Sequence, residues 1–182
     1  MRFLLLAIVA VTLAARHPAA AQLLLSPDLR MRAAYIYNLA KFVEWPPPSD
    51  APSDAPIVFG VMGRGALAAA LEMTVYGKTI QGRPVRVRLV GSVLELKPCH
   101  LLFIGLAGGT GDVARAAAQA GVLTVGEGED FVRSGGMVNL IPYRERVRFQ
   151  INLSAVESAG LRISSKLLRL APPQARSALA NP

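Results

Sequence analysis

Between Ser26 and Trp45 (SPDLRMRAAYIYNLAKFVEW) apolar positions recur at spacings of three and four. Tyr35, Ile36, Leu39, Ala40, Phe42 and Val43 build one broad face, and Arg30, Tyr37, Lys41 and Glu44 fall opposite. The pattern predicts a helix running up to Glu44. Ser26 can accept a hydrogen bond from a first-turn N–H. Pro27 suits the first helical position, and Asp28 places a negative charge at the positive end of the dipole. Pro46, Pro47 and Pro48 stop the helix, and Pro46 already disfavours helical backbone at Trp45. The segment carries two of the four tyrosines and the single tryptophan. Two readings of it stand: a helix packed on a sheet, and a helix whose proline-terminated end presents Trp45 at a binding surface.

Downstream the period shortens. Ile57–Met62 (IVFGVM) and His100–Gly105 (HLLFIG) are continuous apolar runs, as expected of strands covered on both faces. Val85–Val90 (VRVRLV) alternates, with Val85, Val87 and Leu89 on one face and Arg86 and Arg88 on the other. Val122–Val125 is another short strand. Helical stretches separate them: Ala66–Val75, a turn at Ser92–Leu96, Asp112–Ala120 stopped by Gly121, and a short helix over Gly128–Ser134. Met137–Pro142 and Arg146–Asn152 flank Tyr143-Arg144-Glu145 and read as an antiparallel hairpin. Helices at Leu153–Ala159 and Ser164–Leu170 follow. The order predicts a single-domain α/β fold: a mostly parallel sheet with helices on both faces and a C-terminal antiparallel hairpin.

The first 21 residues change the compartment. Arg2 is a short positive region, Phe3–Ala15 an apolar core, and Ala19-Ala20-Ala21 offers small residues to a signal peptidase, so cleavage is expected after Ala21. The apolar run is shorter than the roughly 20 residues of a spanning helix. The mature chain would have 182 − 21 = 161 residues, enough for one domain with a core. That domain is placed at residues 22–170, and the Pro-containing residues 171–182 read as a disordered tail. Arg2 and Arg16 leave with the signal, so 20 basic residues become 18 against 12 acidic, a net of +6. In an exported protein this charge points to solubility, or to an acidic partner or membrane surface, and away from nucleic acid.

No catalytic constellation emerges. Tyr76-Gly77-Lys78-Thr79 resembles the end of a phosphate-binding loop, but Glu72 stands where the first glycine belongs and a helix precedes the motif. Gly108, Gly109 and Gly111 lie between a strand and a helix without a basic residue aimed at a phosphate. Cys99 and His100 are neighbours on an extended segment, so they face opposite sides and cannot act as a nucleophile–base pair. One cysteine and one mature histidine leave no ordinary zinc site, and Glu127, Glu129 and Asp130 lack calcium-loop spacing. No cofactor is expected. Cys99, among Leu96, Leu101, Leu102 and Phe103, is expected to be a buried thiol. Arg86/Arg88 and Arg146/Arg148 form two alternating basic stripes of the kind that guards a sheet edge against aggregation.

Several stretches taken together resemble the YfiR-like family of exported proteins: Ala33–Pro46 (AAYIYNLAKFVEWP), Ile57–Gly63, Cys99–Gly105, Gly135–Leu140, and Arg146–Asn152 running into Leu161–Leu168 (LRISSKLL). The resemblance extends in order from Met31 to Leu170, and its first and last pieces are the most specific. It implies a periplasmic protein-binding α/β domain that is not an enzyme. Such a domain represses an inner-membrane diguanylate cyclase by holding its periplasmic sensor domain, lowering cyclic di-GMP and biofilm formation. It also implies a homodimer and relief of repression by an outer-membrane lipoprotein. A sensor kinase is an alternative partner. Disulfides found in some members cannot form within this chain, which has Cys99 alone. Two readings stand for the end of the domain: a partner surface around Leu161, Ile163, Lys166 and Leu167 with Trp45 beside it, and a core closed by Ile163 and Leu167 under the last helix. A different class of reading is a periplasmic small-ligand sensor with a sheet-end pocket near Gly63-Arg64-Gly65 and Gly108-Gly109.

Overall fold

Ser26 caps the first helix as its position suggests: its hydroxyl oxygen accepts from the Leu29 N–H at 3.3 Å. The protein is described here from a computed structural model, which places residues 26–45, 52–63, 65–105, 110–143 and 146–170. The expected signal segment, Pro46–Pro48, Arg64, Gly108-Gly109 and the tail after residue 170 lie outside the described residues. Helix α1 (Pro27–Ala40) buries Ala33, Ile36, Leu39 and Ala40. It ends four residues before the expected Glu44. Phe42 N–H turns back to the Leu39 carbonyl at 2.9 Å, and Val43–Glu44 become a strand, β1. The β-branched Val43 and the residue before Pro46 both favour extended backbone, and β1 has a partner. It pairs antiparallel with β9 (Arg162–Ile163), which the sequence pattern did not suggest: Val43 faces Ile163 and Glu44 faces Arg162.

The remaining elements build a seven-stranded sheet. They are β2 (Ile57–Met62), α2 (Gly65–Val75), β3 (Thr79–Ile80), β4 (Arg83–Leu89), a 3-10 turn (Val93–Glu95), β5 (Leu101–Ile104), α3 (Thr110–Gln119), β6 (Leu123–Gly126), β7 (Val138–Tyr143) and β8 (Arg146–Ile151). Helices α4 (Leu153–Ser158) and α5 (Ser165–Leu170) flank β9. The sheet order is β3-β4-β2-β5-β6-β7-β8. Neighbours from β4 to β7 run parallel, and β3–β4 and β7–β8 are antiparallel. The mostly parallel sheet closed by an antiparallel hairpin is the architecture that the strand–helix alternation predicts.

Each sheet face has its own core. On one side Phe59, Val61, Leu101, Phe103, Leu123 and Val125 pack with α1 and α2 residues such as Ile36, Leu67 and Leu71. On the other, Met62, Val90, Leu96, Cys99, Leu102, Ile104 and Phe131 pack with Ala114 and Ala117 of α3. All four residues of β5 are buried, as its unbroken apolar sequence requires. The short helix expected over Gly128–Ser134 is instead a run of turns. Phe131 explains the difference: its ring lies between Gly126 and Gly136, where a Cβ on either glycine would come within 2.3 Å of it. That placement fixes the chain around one wedge in place of a helical face.

Candidate partner-binding surface

The β1–β9 ribbon joins the first helix to the last. Val43 goes inward and is buried, while Glu44 and Arg162 point out to solvent. The Ser164 N–H continues the pairing to the Phe42 carbonyl at 2.8 Å. Gly160, with φ +72°, ends α4 in the left-handed conformation that glycine adopts without strain and sends the chain into β9. Beside the ribbon lies a groove of about 700 Å³ with Ile163 and Leu168 half-buried in its lining and Glu44, Glu157 and Arg162 around it. The candidate surface is thus part apolar and part charged.

The residues expected to form that surface separate into two groups. Ile163, opposite the inward Val43, is half-buried and packs against the core while lining the groove, and Lys166 is exposed. Leu161 and Leu167 are 1% and 4% exposed and belong to the core, which corrects the expectation of exposure at Leu161, now in the floor of the groove, and for Leu167 agrees with the reading in which it closes the core. Trp45 is corrected in the same way, at 6% exposed. The alternation in the ribbon accounts for it: Val43 and Trp45 share the inward face and Glu44 takes the outward one. The three buried residues hold the ribbon and α5 against the domain.

Trp45 packs against an unexpected polar cluster. Its ring stands edge-on to His100, centroids 6.0 Å apart. His100 Nδ1 lies 3.2 Å from the Val58 N–H, and its Nε2 lies 2.9 Å from Arg83 Nη2. Arg83 is 6% exposed, and its guanidinium donates to the carbonyls of Ala55 (2.6 Å) and Pro56 (3.4 Å). Both imidazole nitrogens thus face donors, whereas a neutral ring has one acceptor nitrogen. Burial lowers the His100 pKa and the Arg83 charge lowers it further, against a raising contribution from the Pro98 carbonyl. The Trp45 indole N–H is buried and has no partner among the described residues. The pattern gave no sign of Arg83, which falls in a Gln81-Gly82-Arg83-Pro84 stretch that reads as turn. Arg83 opens a strand in which arginine alternates with apolar residues, and nothing in that alternation distinguishes it from the exposed Arg86.

Cys99 is buried on the opposite sheet face, with its thiol 3.9 Å from the Glu95 carbonyl. Burial raises its pKa, Glu95 adds to the rise and Arg88 opposes it, so the thiol stays protonated at neutral pH. Among the described residues no group of three or more His, Cys, Asp or Glu side chains is placed to hold a metal ion, and no helix is long and apolar enough to cross a membrane.

Comparison with known proteins places this architecture. A family model described as YfiR/HmsC-like matches residues 29–172. No curated protein matches the chain. Among solved structures, a conserved domain protein from Vibrio cholerae O1 biovar El Tor is similar at 14% identity and a TM-score of 0.52, over 80% of this chain and 59% of that one. The chain therefore spans a little under two thirds of that protein, and at this identity the likeness is one of fold. The family match covers both the β1–β9 ribbon and the sheet, and it carries the assignment: the chain belongs to the YfiR/HmsC-like family, a regulatory family of periplasmic proteins in cyclic di-GMP signalling.

Proposed function

We propose that the protein is exported, cleaved after Ala21, and represses an inner-membrane diguanylate cyclase by binding its periplasmic sensor domain, so lowering cyclic di-GMP and biofilm formation. The observation that carries the reading is the family match over residues 29–172. The groove beside β9 supports it, because Ile163 and Leu168 offer apolar contact and Arg162, Glu44 and Glu157 a charged rim, with Lys166 exposed on the adjoining helix. Homodimerisation and release by an outer-membrane lipoprotein belong to the same reading, as does a sensor kinase as alternative partner. In it Ile163 and Lys166 touch the partner, while Leu161, Leu167 and Trp45 act by holding the ribbon in place. The test is co-purification with the periplasmic domain of the cyclase, with cellular cyclic di-GMP as readout. Ile163→Asp should abolish binding and raise cyclic di-GMP with a small change in melting temperature, whereas Leu167→Asp should unfold the chain. Intact repression by a folded Ile163→Asp protein would refute this surface.

A second reading, a small-ligand sensor, has one observation in its favour. The chain goes from β2 to β4 on one side and then to β5 on the other, so the C-terminal ends of β2 and β5 form a switch point of the kind where α/β sheets bind ligands. Gly63 lies there, and Arg64 and Gly108-Gly109 adjoin it in sequence. A thermal-shift screen of periplasmic metabolites separates the readings, since a regulator that works through protein contact alone should show no stabilising ligand.

A further inference from the structure

Strand β4 is an edge strand for most of its length. Its outer neighbour β3 covers only Arg83 and Pro84, after which Val85 N–H reaches the Lys78 carbonyl at 3.2 Å. On its inner side β4 pairs with β2 from Val85 to Leu89, and Val90 N–H donates to the Val61 carbonyl at 2.9 Å. Backbone groups alternate along a strand. Val85 therefore points its N–H outward and Val90 inward, which turns the N–H and C=O of Val87 and Leu89 outward, with no strand beside them among the described residues. Exposed apolar side chains flank this edge. Leu89 is 60% exposed, Leu94 88%, Val93 43%, and Tyr76, 88% exposed, stands at the other end. A groove of about 580 Å³ follows the strand between Tyr76, Val75 and Val87.

The charges decide what fits. Residues 86 and 88 occupy the positions whose side chains come closest across an added antiparallel strand. Arg86 is exposed, and Arg88 is half-buried with Glu95 at 3.5 Å. Lys78 and Arg86 line the same groove against one carboxylate, Glu72, and the Lys78 ammonium lies 4.9 Å from the Tyr37 ring centre. A second copy of the chain is a poor occupant. Self-pairing centred on Arg86, Val87 or Arg88 places Arg86 against itself, Arg86 against Arg88, or Arg88 against itself, and like charges directly opposed destabilise a sheet. We infer that the β4 edge receives an extended acidic segment of another protein, added as an eighth strand, with acidic side chains at alternate positions against Arg86 and Arg88 and apolar ones against Val87 and Leu89. This surface is separate from the β1–β9 groove and does not depend on the identity of the cyclase partner.

The probe is a fluorescein-labelled peptide alternating glutamate with valine and threonine, compared with the same peptide carrying lysine for glutamate, each titrated against the full chain by fluorescence anisotropy. The glutamate peptide should bind the more tightly, and Val87 and Leu89 amides should become protected in hydrogen exchange. The double variant Arg86→Glu/Arg88→Glu should weaken glutamate-peptide binding about tenfold and favour the lysine peptide. Val87→Pro removes one outward N–H and no bond to β2, so it should also block binding. Ile163→Asp should leave it unchanged. Binding without protection at Val87 and Leu89, equal affinity for both peptides, or no binding by a folded chain would overturn the proposal. So would a dimer in sedimentation that Val87→Pro dissociates, which would assign the edge to a second copy.

Discussion

Arg83 Nη2 lies 2.9 Å from His100 Nε2, two basic groups in contact inside the domain with Trp45 edge-on to the imidazole. Protonating His100 would bring a second positive charge against a guanidinium that is 6% exposed. The folded-state pKa of His100 is lowered, by burial first and by Arg83 second. The folded protein therefore binds this proton less readily than the unfolded chain, whose histidine titrates near about 6.5. The stability linked to His100 is complete above that value and is lost as pH falls through it toward the lowered folded pKa. Melting temperature should drop between about pH 7 and pH 5, and His100→Gln should flatten the decline. An equal decline in the variant would assign it to other groups.

Cys99 should be a slow thiol. It is buried with its pKa raised by desolvation, so little thiolate forms at neutral pH. Labelling by a maleimide or disulfide reagent should be slow in the native protein and become rapid in denaturant. Cys99→Ser should leave regulation intact and cost about 1–3 kcal/mol for burying a hydroxyl among Val90, Leu96 and Leu102. Rapid native labelling would point to an intermolecular or redox role.

Phe131 fills a slot that two glycines leave open. Phe131→Ala should destabilise by about 3–5 kcal/mol, in the range for emptying a buried aromatic site. Gly126→Ala and Gly136→Ala should also destabilise, because the added methyl falls within 2.3 Å of the ring. Pairing Gly126→Ala with Phe131→Leu should recover part of the loss. Equilibrium denaturation of these variants and of Phe131→Leu alone tests the wedge, and additive losses in the Gly126→Ala/Phe131→Leu pair would argue against direct contact.

Arg32 ties α1 to the end of β6. Its Nη1 lies 2.6 Å from Glu127 Oε2 and its Nη2 2.8 Å from Asp28 Oδ2, and the Arg32 and Glu127 side chains are 14% and 17% exposed. Glu127→Ala should cost about 1–3 kcal/mol, since it leaves a largely buried guanidinium with one exposed carboxylate. Asp28→Ala, at the 51% exposed partner, should cost less. Denaturation curves for both variants give the comparison, and equal losses would remove the distinction.

The sheet was readable because its signal is local. Continuous apolar runs at Ile57–Met62 and Leu101–Ile104, alternation at Val85–Leu89 and the hairpin around Tyr143–Arg146 each carry their own periodicity. What the pattern missed depends on distant partners. Val43–Glu44 completes a helical face in sequence, yet it becomes a strand because Arg162–Ile163 lies opposite. The turns at residues 128–135 contain good helix-start acids, but Phe131 between two glycines overrides them. Trp45, Leu161 and Leu167 look too peripheral for burial. Pairing of the ribbon turns Trp45 inward, and the packing of α5 takes Leu167 with it. Arg83 and His100 showed no relation at all, because a strand register brings together residues 17 positions apart.

The Val43↔Ile163 pairing spans 163 − 43 = 120 positions of chain. Contacts of such sequence separation form late, because the intervening chain must be ordered before closing the loop becomes favourable. A chain emerging N-terminus first would assemble β2 to β8 while its first strand still lacked a mate. The groove beside β9 would then come into being only once α4 and β9 had emerged and docked. A product truncated near residue 160 would carry the whole central sheet and lack the groove altogether. The ribbon thus makes competence for the proposed partner contingent on completed synthesis, so an unfinished chain would be silent rather than misdirected.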